Sequence, residues 1–176
     1  GVDAIRTRLG QGGNAAFHLR PGTEVRSAGD LTVSGDLNLQ PLRAGGEPGV
    51  LTLRAAGSLN LNGSISDGFS TAATTGVLQG GPSWSYRLVA GADFGAADPL
   101  ATVAGAASDV TVGAGRLVRT GSGRIELAAA RDLTLAANTS VIYTAGMTGP
   151  ALADFTPPSV GGVAAQFPVD GGDLRI

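Results

Sequence analysis

Residues 122–146 read SGRIELAAARDLTLAANTSVIYTAG. Three short apolar segments stand in this stretch: Ile125-Glu126-Leu127, Leu133-Thr134-Leu135 and Val141-Ile142-Tyr143. Their first residues, 125, 133 and 141, are evenly spaced. In the first two, apolar and polar side chains alternate. Strand side chains point to opposite faces in turn, so Ile125 and Leu127 share an inner face, as do Leu133 and Leu135. Glu126 and Thr134 are then expected to face water. The Ala, Arg, Asp and Asn between the segments are too few for a helix and enough for a bend. A chain that makes a strand, turns, makes another and turns again in the same sense describes one coil of a β-solenoid. The competing architecture is a β-sandwich, which uses short strands at somewhat longer spacing.

The same device recurs elsewhere. In AGDLTVSGDLNLQ (28–40), the pairs Leu31/Val33 and Leu37/Leu39 each follow Gly-Asp, and Thr32 and Asn38 point outward. It returns in VLTLRAAGSLNLNGSIS (50–66), where Leu51, Leu53, Leu59, Leu61 and Ile65 are the inward candidates. Ala28-Gly29-Asp30-Leu31, Ala56-Gly57-Ser58-Leu59 and Ala130-Arg131-Asp132-Leu133 are three copies of one turn-to-strand step. Steps of six to eight residues, three to a coil, imply about twenty residues per turn of the solenoid. Strands are also expected at Ala15–Leu19 and Thr23–Arg26, on either side of the Pro21-Gly22 turn. The phase of Leu117-Val118-Arg119 is open, with either Leu117 or Val118 inward.

The repeat breaks twice. Residues 67–108 are rich in Gly, Ala, Ser and Thr and contain one apolar segment, Trp84 to Val89. Residues 147–170 contain Pro150, Pro157, Pro158 and Pro168, and consecutive prolines exclude a central strand. Both read as loop insertions that leave the solenoid body. Gly171-Gly172-Asp173-Leu174-Arg175-Ile176 re-enters the repeat. The whole of 1–176 therefore reads as a single β-helix segment, an excised piece of a longer chain.

Composition agrees with thin aliphatic layers. Apolar residues make up 43% of the chain, but aromatic residues only 5%. The 29 glycines lack a G-X-Y period, which excludes collagen. Net charge is −2, with scattered charges and no basic stripe that would suit nucleic acid. The absence of Cys excludes disulfides, thiolate metal sites and cysteine catalysis. The uncharged run 133–153 is broken by Asn138, Gly146, Gly149 and Pro150, which argues against a membrane helix.

Chemistry is sparse. His18 is the sole histidine and has no second ligand type nearby in sequence. Several of the 14 carboxylates occupy turns, where Asp bonds its own backbone. Asp30, Asp36 and Asp132 stand in equivalent turn positions, so two could stack in neighbouring coils. A β-helix enzyme acting on polysaccharide would need such carboxylates clustered on one face, with a base or second carboxylate at a defined separation. Turn chemistry is the favoured reading, and no catalytic, cofactor or metal residues are assigned. Trp84, Tyr86, Phe155 and Phe167 concentrate in the two insertions and are the candidate recognition residues. The alternative for Trp84 is a cover over the solenoid's flank.

The segments AGDLTVSGDLNL, GVLTLRAAGSLNLNGSISDGF, RTGSGRIELAAARDLTLAANTSVIYTAG and FPVDGGDLRI, with SWSYRLVAGAD between them, resemble the repeat region of filamentous-haemagglutinin-like exoproteins. These are large adhesins secreted by two-partner secretion in Gram-negative bacteria, and the likeness covers most of residues 17–176. It implies a right-handed parallel β-helix and export through an outer-membrane partner transporter. It further implies a secreted, cell-surface location and a shaft segment that contributes to attachment to a host receptor or glycan. It supplies no receptor-binding residue.

Overall fold

The computed structural model describes residues 1–150, 156, 158–160, 163, 164 and 167–176, without the side chains of 160, 163 and 164. A short helix, α1 (Val2–Arg8), precedes the strands. The first coil comprises β1 (Gly22–Ser27), β2 (Leu31–Val33) and β3 (Leu37–Asn38). The second comprises β4 (Val50–Ala55), β5 (Leu59–Leu61) and β6 (Ile65–Ser66). The third comprises β7 (Ser85–Ala90), β8 (Val110–Val112) and β9 (Leu117–Thr120). The fourth comprises β10 (Ile125–Ala129), β11 (Leu133–Leu135) and β12 (Val141–Thr144). Four two-residue strands follow, β13 (Met147–Thr148), β14 (Ser159–Val160), β15 (Val163–Ala164) and β16 (Pro168–Val169). β13 pairs antiparallel with β16, and β14 with β15. Finally β17 (Leu174–Arg175) pairs with β10 and starts a fifth coil.

The coils stack as a parallel β-helix with three sides. Side A is the sheet β1-β4-β7-β10-β17, side B is β2-β5-β8-β11, and side C is β3-β6-β9-β12. Every pairing within these three sheets is parallel. The segments beginning at 125, 133 and 141 are thus the three sides of one coil. Partners lie 23 and 24 residues apart in the leanest turns, Val110↔Leu133 and Leu117↔Val141, and 28 apart at Leu31↔Leu59. None of the described helices is long and apolar enough to cross a membrane.

Register explains the core. Leu51, Tyr86 and Ile125 stack on side A, as do Leu53, Leu88 and Leu127. Leu59 with Val110, and Leu61 with Val112, stack on side B. Ile65 and Val118 stack on side C. All of these are buried in one cluster. Burying each aliphatic side chain contributes roughly 1.5–3 kcal/mol, an upper estimate for a compact unfolded chain. The register therefore settles the phase at 117–119: Val118 points inward, over Ile65 and under Ile142. Two glycines are dictated by close approach between coils. A Cβ on Gly123 would collide with the carbonyl oxygen of Trp84, and one on Gly172 with that of Gly123.

Several expectations are corrected. Ala15–Leu19 forms no strand, whereas Gly22–Ser27 does. The break at 67–108 is two insertions, because β7 lies between them in the body of side A. Glu126 does not face open water: it is 8% exposed, because Arg87 closes over it with Nε 3.0 Å from Oε2. Leu133 is half-buried and Leu135 is 47% exposed, because β11 is the last strand of side B and carries no coil above it.

Candidate functional surface

The three corners of the coil differ. The B-to-C corner is short in every turn. The C-to-A corner carries long connections after β3, β6 and β12 and a short one after β9. The A-to-B corner carries one long connection, residues 91–109, after β7.

The C-to-A connections are bonded to one another along the axis. Arg43, after β3, donates from Nη1 to the Pro82 carbonyl at 2.7 Å. Its Nη2 reaches both carboxylate oxygens of Asp67 at 3.0 and 2.8 Å. Asp67 is fully buried and also accepts the Trp84 backbone N–H at 2.7 Å, so one carboxylate pins both ends of the 67–84 connection. Further along, Thr148 donates its N–H to the Gln79 carbonyl at 3.2 Å. These connections form a continuous lateral ridge.

Arg119 fastens that ridge to side C. It alternates with inward Val118, so it points outward from β9, yet it is only 2% exposed. Its guanidinium donates to Ser66 Oγ at 3.0 Å, Tyr143 Oη at 3.1 Å, and the carbonyls of Thr71 and Ala73 at 2.9 and 2.6 Å. It also lies 3.9 Å from the ring centroid of Phe69, which meets Tyr143 edge-on. Among the described residues no carboxylate pairs with it. Carbonyl dipoles and the electron-rich ring face stabilise the buried cation instead.

The sequence candidates separate clearly. Trp84 is buried and covers Gly49. Tyr86 is fully buried in the side A stack and donates its hydroxyl to the Arg119 carbonyl at 3.0 Å. Burial, and then the Asp67 charge, push its phenol well above the ordinary range, so it remains a donor. Neither residue presents a ring to solvent. Phe167 is exposed on the ridge. Phe155 lies outside the described residues. Sequence reasoning missed Leu42, exposed beside the Arg43 clamp, and Phe94, partly exposed at the A-to-B corner under the guanidiniums of Arg26 and Arg54.

Asp93 and Asp98 accept N–H groups of their own turns, whereas other carboxylates join coils. Asp30 Oδ1 accepts the Ser58 N–H at 2.8 Å, and Asp36 Oδ1 the Ser64 N–H at 2.7 Å. Each therefore bonds the coil above, rather than its own turn. Asp30 and Asp132 share the A-to-B corner with Ser58 and Asp109 between them, while Asp36 stands at the next corner. The stacked neighbours are Asp109 and Asp132. Arg131 pairs with Asp109 and holds its carboxyl below the usual range, helped by the Asp132 N–H. On the outer face of side A, Arg26 and then Arg54 lower Glu24 in the same way. His18 Nδ1 meets Glu47 at 2.7 Å, tying residues 18–20 to the connection after β3. No group of three or more potential metal ligands occurs among the described residues.

No family model, curated protein or solved structure matches the chain.

Proposed function

We propose that this chain is a structural and adhesive shaft segment of a large secreted exoprotein of the filamentous-haemagglutinin type. In this reading it is exported through an outer-membrane partner transporter and held at the bacterial surface. The observation that carries the reading is the four-coil parallel stack, in which Asp30, Asp36 and Asp109 each accept an N–H of the next coil. A repetitive scaffold of this kind sets distance and presents side chains from its flank. The lateral ridge, with Leu42 and Phe167 exposed on it, supplies the contact surface to a host receptor or glycan.

The test uses the intact chain coupled to beads over a host-cell layer. Beads carrying the chain are expected to attach above albumin-coated controls, and L42S is expected to lower attachment without moving the thermal midpoint. Attachment no better than albumin would overturn the adhesive role. Turnover of pectic or glucan polymer that disappears with Asp132→Asn would overturn it in favour of a polysaccharide-active β-helix enzyme.

A further inference from the structure

The outer face of side A carries polar side chains in register. Inward Leu51, Tyr86 and Ile125 are flanked along their strands by outward Val50, Ser85 and Arg124 on one side and by outward Thr52, Arg87 and Glu126 on the other. A cleft of about 390 Å³ runs up this face, lined by Ser85, Arg87, Ser122, Arg124, Glu126 and Asp173 together with Val50 and two glycines. Its size is that of a small-ligand site, roughly 300–1,000 Å³. β7 and β10 supply its centre, and each has a strand on either side in the sheet. The cleft therefore opens sideways, not from an end of the stack.

Hydrogen bonding within the fold leaves a defined set of groups turned to this cleft. Glu126 is more than nine-tenths buried, and its Oε2 accepts Arg87 Nε at 3.0 Å. Its Oε1 has no hydrogen bond among the described residues, and Arg124 Nη1 stands 3.9 Å away. A carboxylate oxygen so sheltered from water is an acceptor short of a donor. Beside it Arg87 spends only Nε, so both of its terminal nitrogens lack an acceptor among the described residues. Ser85 Oγ and Ser122 Oγ each accept one backbone N–H, from Arg124 at 3.0 Å and from Ser83 at 3.1 Å, which leaves their own O–H protons to give. Charge then decides what fits. Arg87 and Arg124 are balanced by Glu126 and Asp173, so neither an anion nor a cation gains a net attraction. Only Val50 among the lining side chains is aliphatic, too little for an apolar ligand. A neutral polyol meets the demand, because each hydroxyl donates to a carboxylate and accepts from a guanidinium or a serine.

We infer that this cleft is a saccharide subsite that takes a neutral hexose unit of a glycan. One ring hydroxyl donates to Glu126 Oε1, and its neighbour on the ring accepts from the Arg87 and Arg124 guanidiniums. The site does not include Leu42 and needs no assumption about attachment. Its failure and that of the bead assay are therefore distinguishable.

The probes are lactose, cellobiose and maltose, each titrated onto the intact isotope-labelled chain and read by NMR, with sialyllactose and the glucosamine dimer as charged counterparts. At least one neutral disaccharide is expected to saturate with a Kd below about 10 mM. Shift changes should be confined to 85–87, 122–126 and 171–173, and affinity should hold as sodium chloride rises from about 0.05 to about 0.5 M. Arg124→Ala and Glu126→Gln should each weaken binding at least about tenfold. The Arg124 side chain is 56% exposed, so that variant carries the test even if Glu126→Gln lowers the thermal midpoint. No saturation by any of the three up to about 50 mM overturns the proposal. So do equal or tighter binding of either charged sugar, shift changes centred elsewhere, or an unchanged affinity in Arg124→Ala.

Discussion

Two insertions leave the third coil on either side of β7, and they are held in opposite ways. Residues 67–84 are nailed down by buried charge: Asp67 with Arg43 and Trp84 at the base, and Arg119 with the carbonyls of Thr71 and Ala73 at the crown. Residues 91–109 lie against side A, where Arg54 of β4 is itself buried. Their ties to the body are the backbone bonds from Gly91 to Gly57 and from Ala92 to Ala55, the Arg54 bond to the Asp93 carbonyl at 2.7 Å, and the stacking of Arg26 and Arg54 on Phe94. Val103 is left exposed. The first insertion is built into the body, because buried Asp67 lies at its base and buried Arg119 donates to two of its carbonyls. The second is held more lightly: Arg54 is the buried charge that donates to it among the described residues, at the Asp93 carbonyl. Insertion length does not distinguish them. What matters is whether the coil needs the insertion's polar groups.

The comparison can be broken by experiment. The largest effect is expected from Asp67→Ala, which strands Arg43 and the Trp84 N–H together. Loss of one partner from a buried pair costs about 3–5 kcal/mol, readable as a fall in the urea midpoint. Arg119→Met should follow. It removes the four hydrogen bonds of a buried guanidinium, and a hydrogen bond to a charged group contributes roughly 1.5–3 kcal/mol. Hydrogen exchange should accelerate in 70–79 and leave β4 and β7 protected. Phe94→Ala on the other insertion is expected to cost no more than about 1 kcal/mol, the scale of an exposed cation–π contact. Equal midpoints for Asp67→Ala and Phe94→Ala would erase the distinction.

The smallest effect concerns pH. The second insertion rejoins the coil at Asp109, whose carboxyl is held below its ordinary value of 3.8, chiefly by the Arg131 hydrogen bond. Because the folded value is the lower one, the stabilisation is complete above the unfolded value. It disappears as pH falls through the folded one. Asp109→Asn should therefore lower the thermal midpoint at neutral pH and match the native chain in acid well below pH ~4. A gap that persists in acid would mean that the side chain acts through shape rather than charge.

The body was legible because alternation and corner chemistry are local. Leu133-Thr134-Leu135 and its copies gave the side B strands, and the spacing of 125, 133 and 141 gave a coil. β7 was legible in principle: Tyr86, Leu88 and Ala90 alternate like Leu51, Leu53 and Ala55, with which they pair. Its aromatic residues drew the reading toward recognition, while register makes Tyr86 core. Arg119 was not legible, because two of its four partners are carbonyls 46 and 48 residues away, which no side-chain pattern reveals. Leu135 misled for the converse reason. Alternation tells which face a residue occupies, but burial also needs a neighbour above.

The ridge has a mechanical consequence. Coils that are joined only by neighbouring ladders peel from a pulled end one at a time, each at a similar load. Here Arg43 of the first connection grips the second, and Thr148 of the fourth coil grips Gln79 of that same second connection, 69 residues earlier. A tug on β1 is therefore passed sideways before the first coil can separate from the second. Extension at constant speed should show one tall rupture that takes the first coils together, followed by lower steps. Asp67→Ala should split that rupture into even ones, turning a braced column into a spring that uncoils turn by turn.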